Sequence, residues 1–479
     1  MAPADRAALD HAPLFLHASR GLCRACGNQQ LVEVRYVSDG QGVFLERLCP
    51  EHGRSRVLVA ESLAWLLEAQ QAPIAARPPP RVLPRAGQGC PSACGPCELH
   101  GQRCNLPVFS ITNACNLRCP ICFTYNRGDA IYHMSREEFG RQLDFVIEAT
   151  GGVDLVNITG GEPTLHPELL ELLALARRPG IGRVTVNSNG LTLAEQPELA
   201  QRLAELGAYV ILSLDTLDAE TSQRLHGRDI VSLKLRALEN LERAGVQTTL
   251  LMVLVSGVNE SELGRMVELA LERDFIRSLT IQTMTYTGQG GGGFQPRGHI
   301  PVDGVERRIE ELTGGRLRRS DFLPLPTAHP LCYGVSYLLL DEKGGAHSFS
   351  RLLGRETLAR HLADGYLLHP GEELEDELRR AIDRLWSQGG EPELLAAVKS
   401  MLQAIYPRGE ELSIHERQRR AERRVKTIYV HAHMDEDTYE VGRAMRCPDQ
   451  VPVDAARLIG ACNYNLFYRM KDPRFWIEP

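Results

Sequence analysis

The chain has 479 residues, 43% of them hydrophobic, enough for one large catalytic domain and smaller flanking domains with cores of their own. A formal net charge of -7 argues against a dedicated DNA- or RNA-binding protein, so no nucleic acid is expected as a partner. Residues 1–20 lack signal-peptide patterning, and no apolar run approaches the roughly 20 residues that span a bilayer. The expectation is a cytoplasmic protein that would meet any lipid by peripheral contact with the membrane surface.

Thirteen cysteines in such a chain read as metal ligands, because the cytosol keeps thiols reduced. The first set, Cys23, Cys26 and Cys49 with His52, forms two knuckle-like pairs suited to one tetrahedral metal, mononuclear iron or zinc. Residues 1–75 therefore read as a metal-binding module, and the Pro-, Ala-, Arg- and Gly-rich stretch 72–89 as a linker. Cys90, Cys94, Cys97 and Cys104 then offer four thiolates for an auxiliary iron–sulfur cluster or a zinc staple, within a segment 76–105.

From 106 to 300 short β-branched runs alternate with segments of helical period, the pattern of successive βα units. Strands are expected at 107–112, 153–159, 183–187, 209–214, 247–255 and 279–283. Helices are expected at 135–150, 167–178, 193–206, 231–244 and 261–273, the first opening on Ser135 with Glu138 as a capping box. This predicts an α/β fold, a partial (β/α)6 barrel of TIM type, with site residues on loops at the C-terminal strand ends. The run Gly290 to Gly293 lacks the Lys-Ser/Thr of a phosphate loop and reads as a flexible lid or turn.

Residues 301–479 read as a largely helical extension, with helices at 372–386 and 392–405, that returns cysteines to the site and covers substrate. Cys332, Cys447 and Cys462 are either further cluster ligands, with His329 available as a fourth, or buried free thiols. His431 and His433 could pair on a metal; the preferred reading makes them alternate, solvent-facing positions of a strand. The arginines of 417–424 read as a solvated helix face or as a surface that meets an anionic head group or a phosphate.

The chemistry concentrates in Cys115-Asn-Leu-Arg-Cys119-Pro-Ile-Cys122, directly after the first barrel strand. Three thiolates at this spacing can hold three irons of a cubane and leave the fourth without a protein ligand. S-adenosylmethionine (SAM) can chelate that iron, and an electron passed to its sulfonium frees a 5′-deoxyadenosyl radical. With Gly160-Gly161-Glu162-Pro163-Thr164 after the second strand, this motif resembles the radical SAM superfamily. The resemblance implies that Gly160, Gly161, Glu162 and Pro163 contact the methionine end of SAM. It places Ser188, Asn189, Ser213 and Asp215 at ribose or carboxylate contacts, Asn259 near the adenine, and Arg228 at the SAM carboxylate.

Over nearly its full length the arrangement is similar to the tetraether lipid synthases and radical SAM pterin methyltransferases. That likeness implies one SAM-binding 4Fe-4S cluster, one or two auxiliary clusters on Cys90, Cys94, Cys97 and Cys104 and on Cys332, Cys447 and Cys462, and a mononuclear metal. Reduced flavodoxin or ferredoxin would be the electron donor. The sequence departs from the group at Thr327, where relatives carry another cysteine ahead of His329-Pro330-Leu331-Cys332. The primary expectation is hydrogen abstraction from an unactivated carbon followed by carbon–carbon bond formation on a lipid-like substrate. The alternatives are radical methylation of a pterin-like heterocycle and, from another class, a non-catalytic iron–sulfur electron carrier or zinc-knuckle protein.

Overall fold

The computed structural model describes residues 14–477 except 28–29, 73–74, 81–89, 93, 96, 364, 390 and 455, and the side chains of 414 and 415. The first residues of the chain and much of the expected linker 72–89 thus lie outside the described residues.

Four antiparallel strands open the fold in the order β1 (Leu14–Leu22), β2 (Leu31–Ser38), β3 (Val43–Cys49) and β4 (Gly53–Ala60). Their inward alternates, Val34, Tyr36, Val43, Leu45 and Val59, pack on Leu66 of helix α1 (Leu63–Gln71) and on Leu331. The module is bolted to the rest of the chain through polar contacts. The buried Asp303 carboxylate, at the start of a later helix, accepts hydrogen bonds from the backbone N–H groups of Glu61 (3.0 Å) and Ser62 (2.9 Å). Ser62 caps α1, and Trp65 Nε1 donates to Glu306 at 2.9 Å.

The barrel follows as β5 (Leu106–Ser110), α2 (Arg136–Thr150), β6 (Val153–Thr159), α3 (Leu169–Ala176), β7 (Ile181–Ser188), α4 (Leu191–Glu195) and α5 (Pro197–Glu205). It continues with β8 (Tyr209–Ser213), α6 (Ala219–His226), α7 (Val231–Ala244), β9 (Thr248–Leu254), α8 (Leu263–Glu272), β10 (Ile276–Thr283) and α9 (Val302–Leu312). Pro197 splits the helix expected at 193–206, since proline suits a first helical turn and disrupts an interior. The short helix α6 was hidden by its polar composition; it is set by its cap, Asp218 accepting from Thr221 N at 2.8 Å.

The C-terminal region contributes more strand than its sequence predicts. After β11 (Tyr333–Leu340), α10 (Glu372–Gln388), α11 (Pro392–Ile405) and α12 (Ile414–Ala421), strand β12 (Val425–His431) pairs in parallel with β10. Strand β13 (Asp449–Asp454) pairs in parallel with β5 at the opposite edge, and β14 (Arg457–Gly460) closes the chain's last hairpin. Eight parallel strands therefore run β13-β5-β6-β7-β8-β9-β10-β12, flanked by antiparallel β11 and β14. Across the seam the hydroxyls of Tyr333 and Tyr366 both donate to Asp449.

Alternation along these strands sorts two faces. Val156, Ile158, Val184, Val186, Leu250, Met252, Leu279, Ile281, Ile428 and Val430 face the helices in the main core. Asn157, Thr185, Asn187, Thr249, Ser278, Thr280, Gln282 and Thr427 face the lumen. The ribbon-to-barrel bolt is testable. Asp303→Ala leaves two buried N–H groups without acceptors, at a cost of about 1–3 kcal/mol. Limited proteolysis of the folded protein should then cut the segment after α1 faster than in wild type, with the barrel fragment intact.

Candidate active site

One cavity of about 440 Å³ occupies the lumen. Cys115, Cys119 and Cys122 line its mouth together with Gly160, Gly161, Glu162, Ser188, Asn189, Ser213 and Asp215. The cysteine loop has little regular structure, so its shape comes from what grips it. Gly161 N donates to Thr112 O (2.8 Å) and Glu162 N to Ala114 O (2.7 Å), which lays the glycine turn flat on the backbone leading to Cys115. A Cβ on Gly160 or Gly161 would stand 2.3 Å from those same carbonyl oxygens, so no larger residue fits.

On the other flank, the N–H groups of Gly290 and Gly291 both donate to Cys122 O, at 3.0 and 2.9 Å. A Cβ on Gly290 would lie 2.4 Å from Cys119 O. The glycine run, expected as a flexible lid or turn, is a turn that clamps the cysteine loop through its backbone. From the C-terminal end, Asn465 Nδ2 donates to Phe123 O, and Arg469 donates to Tyr125 O (2.6 Å), Ser110 Oγ (2.7 Å) and Asn126 Oδ1. Arg469 is buried, lines the cavity and has no carboxylate within 4.0 Å among the described residues. Cys122 lies within electrostatic reach of its guanidinium.

The mouth is an organised polar network. Buried Glu162 accepts from Ser188 Oγ (2.9 Å), Thr164 Oγ1 (2.7 Å), Thr164 N (3.0 Å) and Asn189 N (2.7 Å). Ser188 and Asn189 thus hold the carboxylate in place, while burial pushes its pKa up against these bonds. Asp215 accepts from Val253 N at 2.8 Å and lies 3.6 Å from Lys234 Nζ and 3.4 Å from His226 Nε2. Lys234 Nζ also donates to Ser213 O at 2.5 Å. Burial, aided by the Lys234 charge, holds His226 down to about 4, and both its ring nitrogens lack a hydrogen-bond partner.

Lys234 and His226 line the cavity; Arg228, Pro163 and Asn259 do not. Arg228 is exposed. Asn259 is fully buried, with Nδ2 donating to Asp215 O and Val253 O and Oδ1 accepting from Val255 N, all at 2.8 Å. Its role is to fix the loop behind Asp215. The one available signal for Lys234 was rarity, since the chain holds only five lysines. Its placement on α7, a helix interior, pointed elsewhere.

The remaining cysteines divide by spacing. Cys26 Sγ stands 3.7 Å from Cys49 Sγ and 3.3 Å from His52 Nδ1, while His52 Nδ1 is 3.7 Å from Cys23 Sγ and 3.5 Å from Cys49 Sγ. These are the edges of a tetrahedron around one ion with bonds of about 2.0–2.3 Å. None of the other cysteine sets packs its donor atoms this closely among the described residues, as thiolates on separate cubane corners must not.

Asn463 Nδ2 donates to Cys94 Sγ (3.3 Å) and Cys90 Sγ (3.7 Å), and Cys97 adds its charge to both. Cys104, expected as their fourth thiolate, is buried in the main core, and its foremost charged neighbour is Asp449.

Cys332, Cys447 and Cys462 gather around buried Arg443, whose Nε and Nη2 reach Cys332 Sγ at 3.4 Å. The imidazole beside this set is His433, with Nδ1 3.6 Å from Cys462 Sγ; His329 Nδ1 instead accepts from Leu331 N. The solvent-facing reading of His431 and His433 is therefore corrected. Both line the cavity, their rings 4.0 Å apart, His431 stacked on Tyr333 and His433 on Phe123. Sequence alternation could not reveal this, because β12 has an inner face only once it joins β10.

Two outcomes follow. Gly290→Ala should lower the iron retained after anaerobic reconstitution several-fold, measured per chain, because the cysteine loop has to shift. Arg469→Gln removes a buried cation beside Cys122 and should shift the site's midpoint potential to more negative values, read by an electron paramagnetic resonance redox titration.

Residues 109–270 match the family described as the Radical SAM superfamily, and residues 15–61 the HMPTM N-terminal zinc ribbon domain. The chain is 26% identical over 426 residues to 7,8-dihydro-6-hydroxymethylpterin dimethyltransferase of Methanocaldococcus jannaschii, covering 80% of this chain and 81% of that protein. It is 34% identical over 189 residues to GTP 3′,8-cyclase of Chlorobaculum tepidum, covering 39% of this chain and 56% of the cyclase. Among solved structures, Streptococcus suis SuiB bound to S-adenosylmethionine aligns with a TM-score of 0.38 at 20% identity, covering 44% of this chain and 47% of SuiB. Methylornithine synthase aligns with 0.34 at 16% identity, covering 63% and 86%. The chain carries a radical SAM domain over residues 109–270, with 4Fe-4S iron–sulfur and SAM as the cofactors of that domain.

Proposed function

We propose that this enzyme acts on a pterin-like heterocycle and that its reaction is a radical methylation. The observation that carries this reading is the mixed wall of the lumen beyond the three thiols, where Asn187, Thr280 and Gln282 stand among Val108, Leu155, Ile211, Leu251 and Val253. A flat heterocycle can lay its ring faces on the apolar residues and pair its ring-edge donors and acceptors with Asn187, Thr280 and Gln282, groups for which an acyl chain has no use. The likeness to a pterin dimethyltransferase across four-fifths of the chain supports the same substrate class. Coupling of lipid chains, the primary expectation from sequence, is the weaker reading. No helix among the described residues is long and apolar enough to cross a membrane.

In this reading Cys115, Cys119 and Cys122 hold the SAM-binding cluster, which supplies reductive cleavage of SAM and a radical able to abstract hydrogen. Burial pushes Cys119 up to about 12, so the thiolate form needs the iron it ligates. Glu162, pinned by four donors, offsets the SAM ammonium, and Gly160 and Gly161 let the ligand meet backbone. Lys234, in place of Arg228, presents the cation for the carboxylate, and Asp215 orients it.

The test is an anaerobic reaction of the reconstituted, reduced protein with SAM and 6-hydroxymethyl-7,8-dihydropterin. Formation of 5′-deoxyadenosine and methionine from one SAM is expected, with a second SAM giving its methyl to the pterin and leaving S-adenosylhomocysteine at the cost of two electrons from the added reductant. Cys119→Ala should abolish these products and the methyl-group mass gain in the pterin. An unmodified pterin, together with deuterium passing from a labelled lipid methyl into 5′-deoxyadenosine, would reverse the assignment. SAM leaving the cluster's resonance spectrum unchanged would instead point to an electron carrier.

A further inference from the structure

The cavity does not stop below the mouth. Its lining includes both ends of the barrel strands, Ser110 and Leu106 on β5, Thr159 and Leu155 on β6, Ser188 and Arg183 on β7. At about 3.3 Å per residue, four to five residues of strand make the lumen roughly 13–17 Å deep. The far end is roofed by α10 and α11 through Leu374, Met401 and Ile405. Chemistry at the thiols occupies only the mouth.

Charge at the far end is not balanced by the protein. Arg183, buried and stacked over the Tyr209 ring, is ion-paired with Glu422, whose other carboxylate oxygen accepts from Tyr209 Oη at 3.0 Å. Arg277 lines the same end and donates only to neutral oxygens, Gln247 Oε1 and the Glu422 carbonyl. No carboxylate lies within 4.0 Å of it among the described residues. Two guanidinium groups thus face the Glu422 carboxylate in a partly desolvated pocket, with Asp274 within electrostatic reach of Arg277 but beyond 4.0 Å. Lys426 is buried nearby, with Nζ donating to the carbonyls of Arg273 and Ile276.

We propose that this end of the lumen is a second subsite, which holds a carboxylate- or phosphate-terminated tail on the non-reacting side of the heterocyclic substrate. The inference rests on the pterin-like reading for the mouth and adds that the substrate is elongated. Arg277 supplies the charge-assisted hydrogen bonds, and the apolar roof of Leu374, Met401 and Ile405 covers the uncharged stem. Remote binding of this kind fixes the ring against the thiols without touching the reacting carbon.

Binding to the reconstituted holoenzyme distinguishes the two levels of the claim. The probes are 6-hydroxymethyl-7,8-dihydropterin, 7,8-dihydrofolate as the same ring bearing an anionic tail, and p-aminobenzoylglutamate as the tail alone. The tailed ring should bind at least about tenfold tighter than the bare ring. Arg277→Gln should erase that advantage while leaving bare-ring affinity unchanged, and Arg277→Lys should restore part of it. Equal affinity of the two rings for wild type overturns the subsite and spares the ring assignment. If neither ring binds, the pterin reading falls and the tail probe decides alone. Binding to wild type but not to Arg277→Gln sustains the anion subsite, and no binding to wild type ends it.

Discussion

Everything at the mouth of the barrel depends on how a loop with almost no structure of its own is held. The stretch from Cys115 to Cys122 has no strand or helix to stiffen it, so its carbonyl groups are taken up by neighbouring backbone. The turn at Gly160 and Gly161 lies against one side, and the run at Gly290 and Gly291 donates two N–H groups to a single carbonyl on the other. Glycine is required at these contacts because the chains approach within the radius of a methyl group. The glycines of the signature turn therefore shape the protein before they serve any ligand.

Electrostatics divides the lumen into two regions. At the mouth, thiols and carboxylates dominate, with Glu162 and Asp215 held by backbone and hydroxyl donors and relieved by Lys234 and Arg469. At the far end, cations are in excess. Between them runs a neutral wall in which hydroxyl and amide groups alternate with Leu155, Ile211, Leu251 and Val253. A ligand laid along the barrel would meet opposite potentials at its two ends, which orients it before any close contact forms.

The six central strands and most of their helices were legible because the inner and outer alternates differ in kind, apolar residues facing the helices and polar ones the lumen. The mononuclear metal set was legible for a simpler reason, since Cys23 and Cys26 lie in the β1–β2 connection and Cys49 and His52 at the β3–β4 turn of one small sheet, and need little folding to meet. What sequence could not convey was the return of the C-terminal region. Strands β12 and β13 join opposite edges of the sheet after long excursions, and no local pattern tells that His431 and Asp449 turn inward. The same holds for Cys104, whose spacing suggests a cluster but whose neighbours are core side chains. Lys234 hid among helix residues, and Arg469 among the many arginines.

The placement of Asn465 and Arg469 also has a consequence for biogenesis. These residues are made after every strand of the barrel, yet they latch the loop that follows the first one. A ribosome-bound chain can complete the sheet from β5 to β10 while its cysteine loop is still unlatched. The metal-binding loop therefore takes its final shape only after residue 469 has been made.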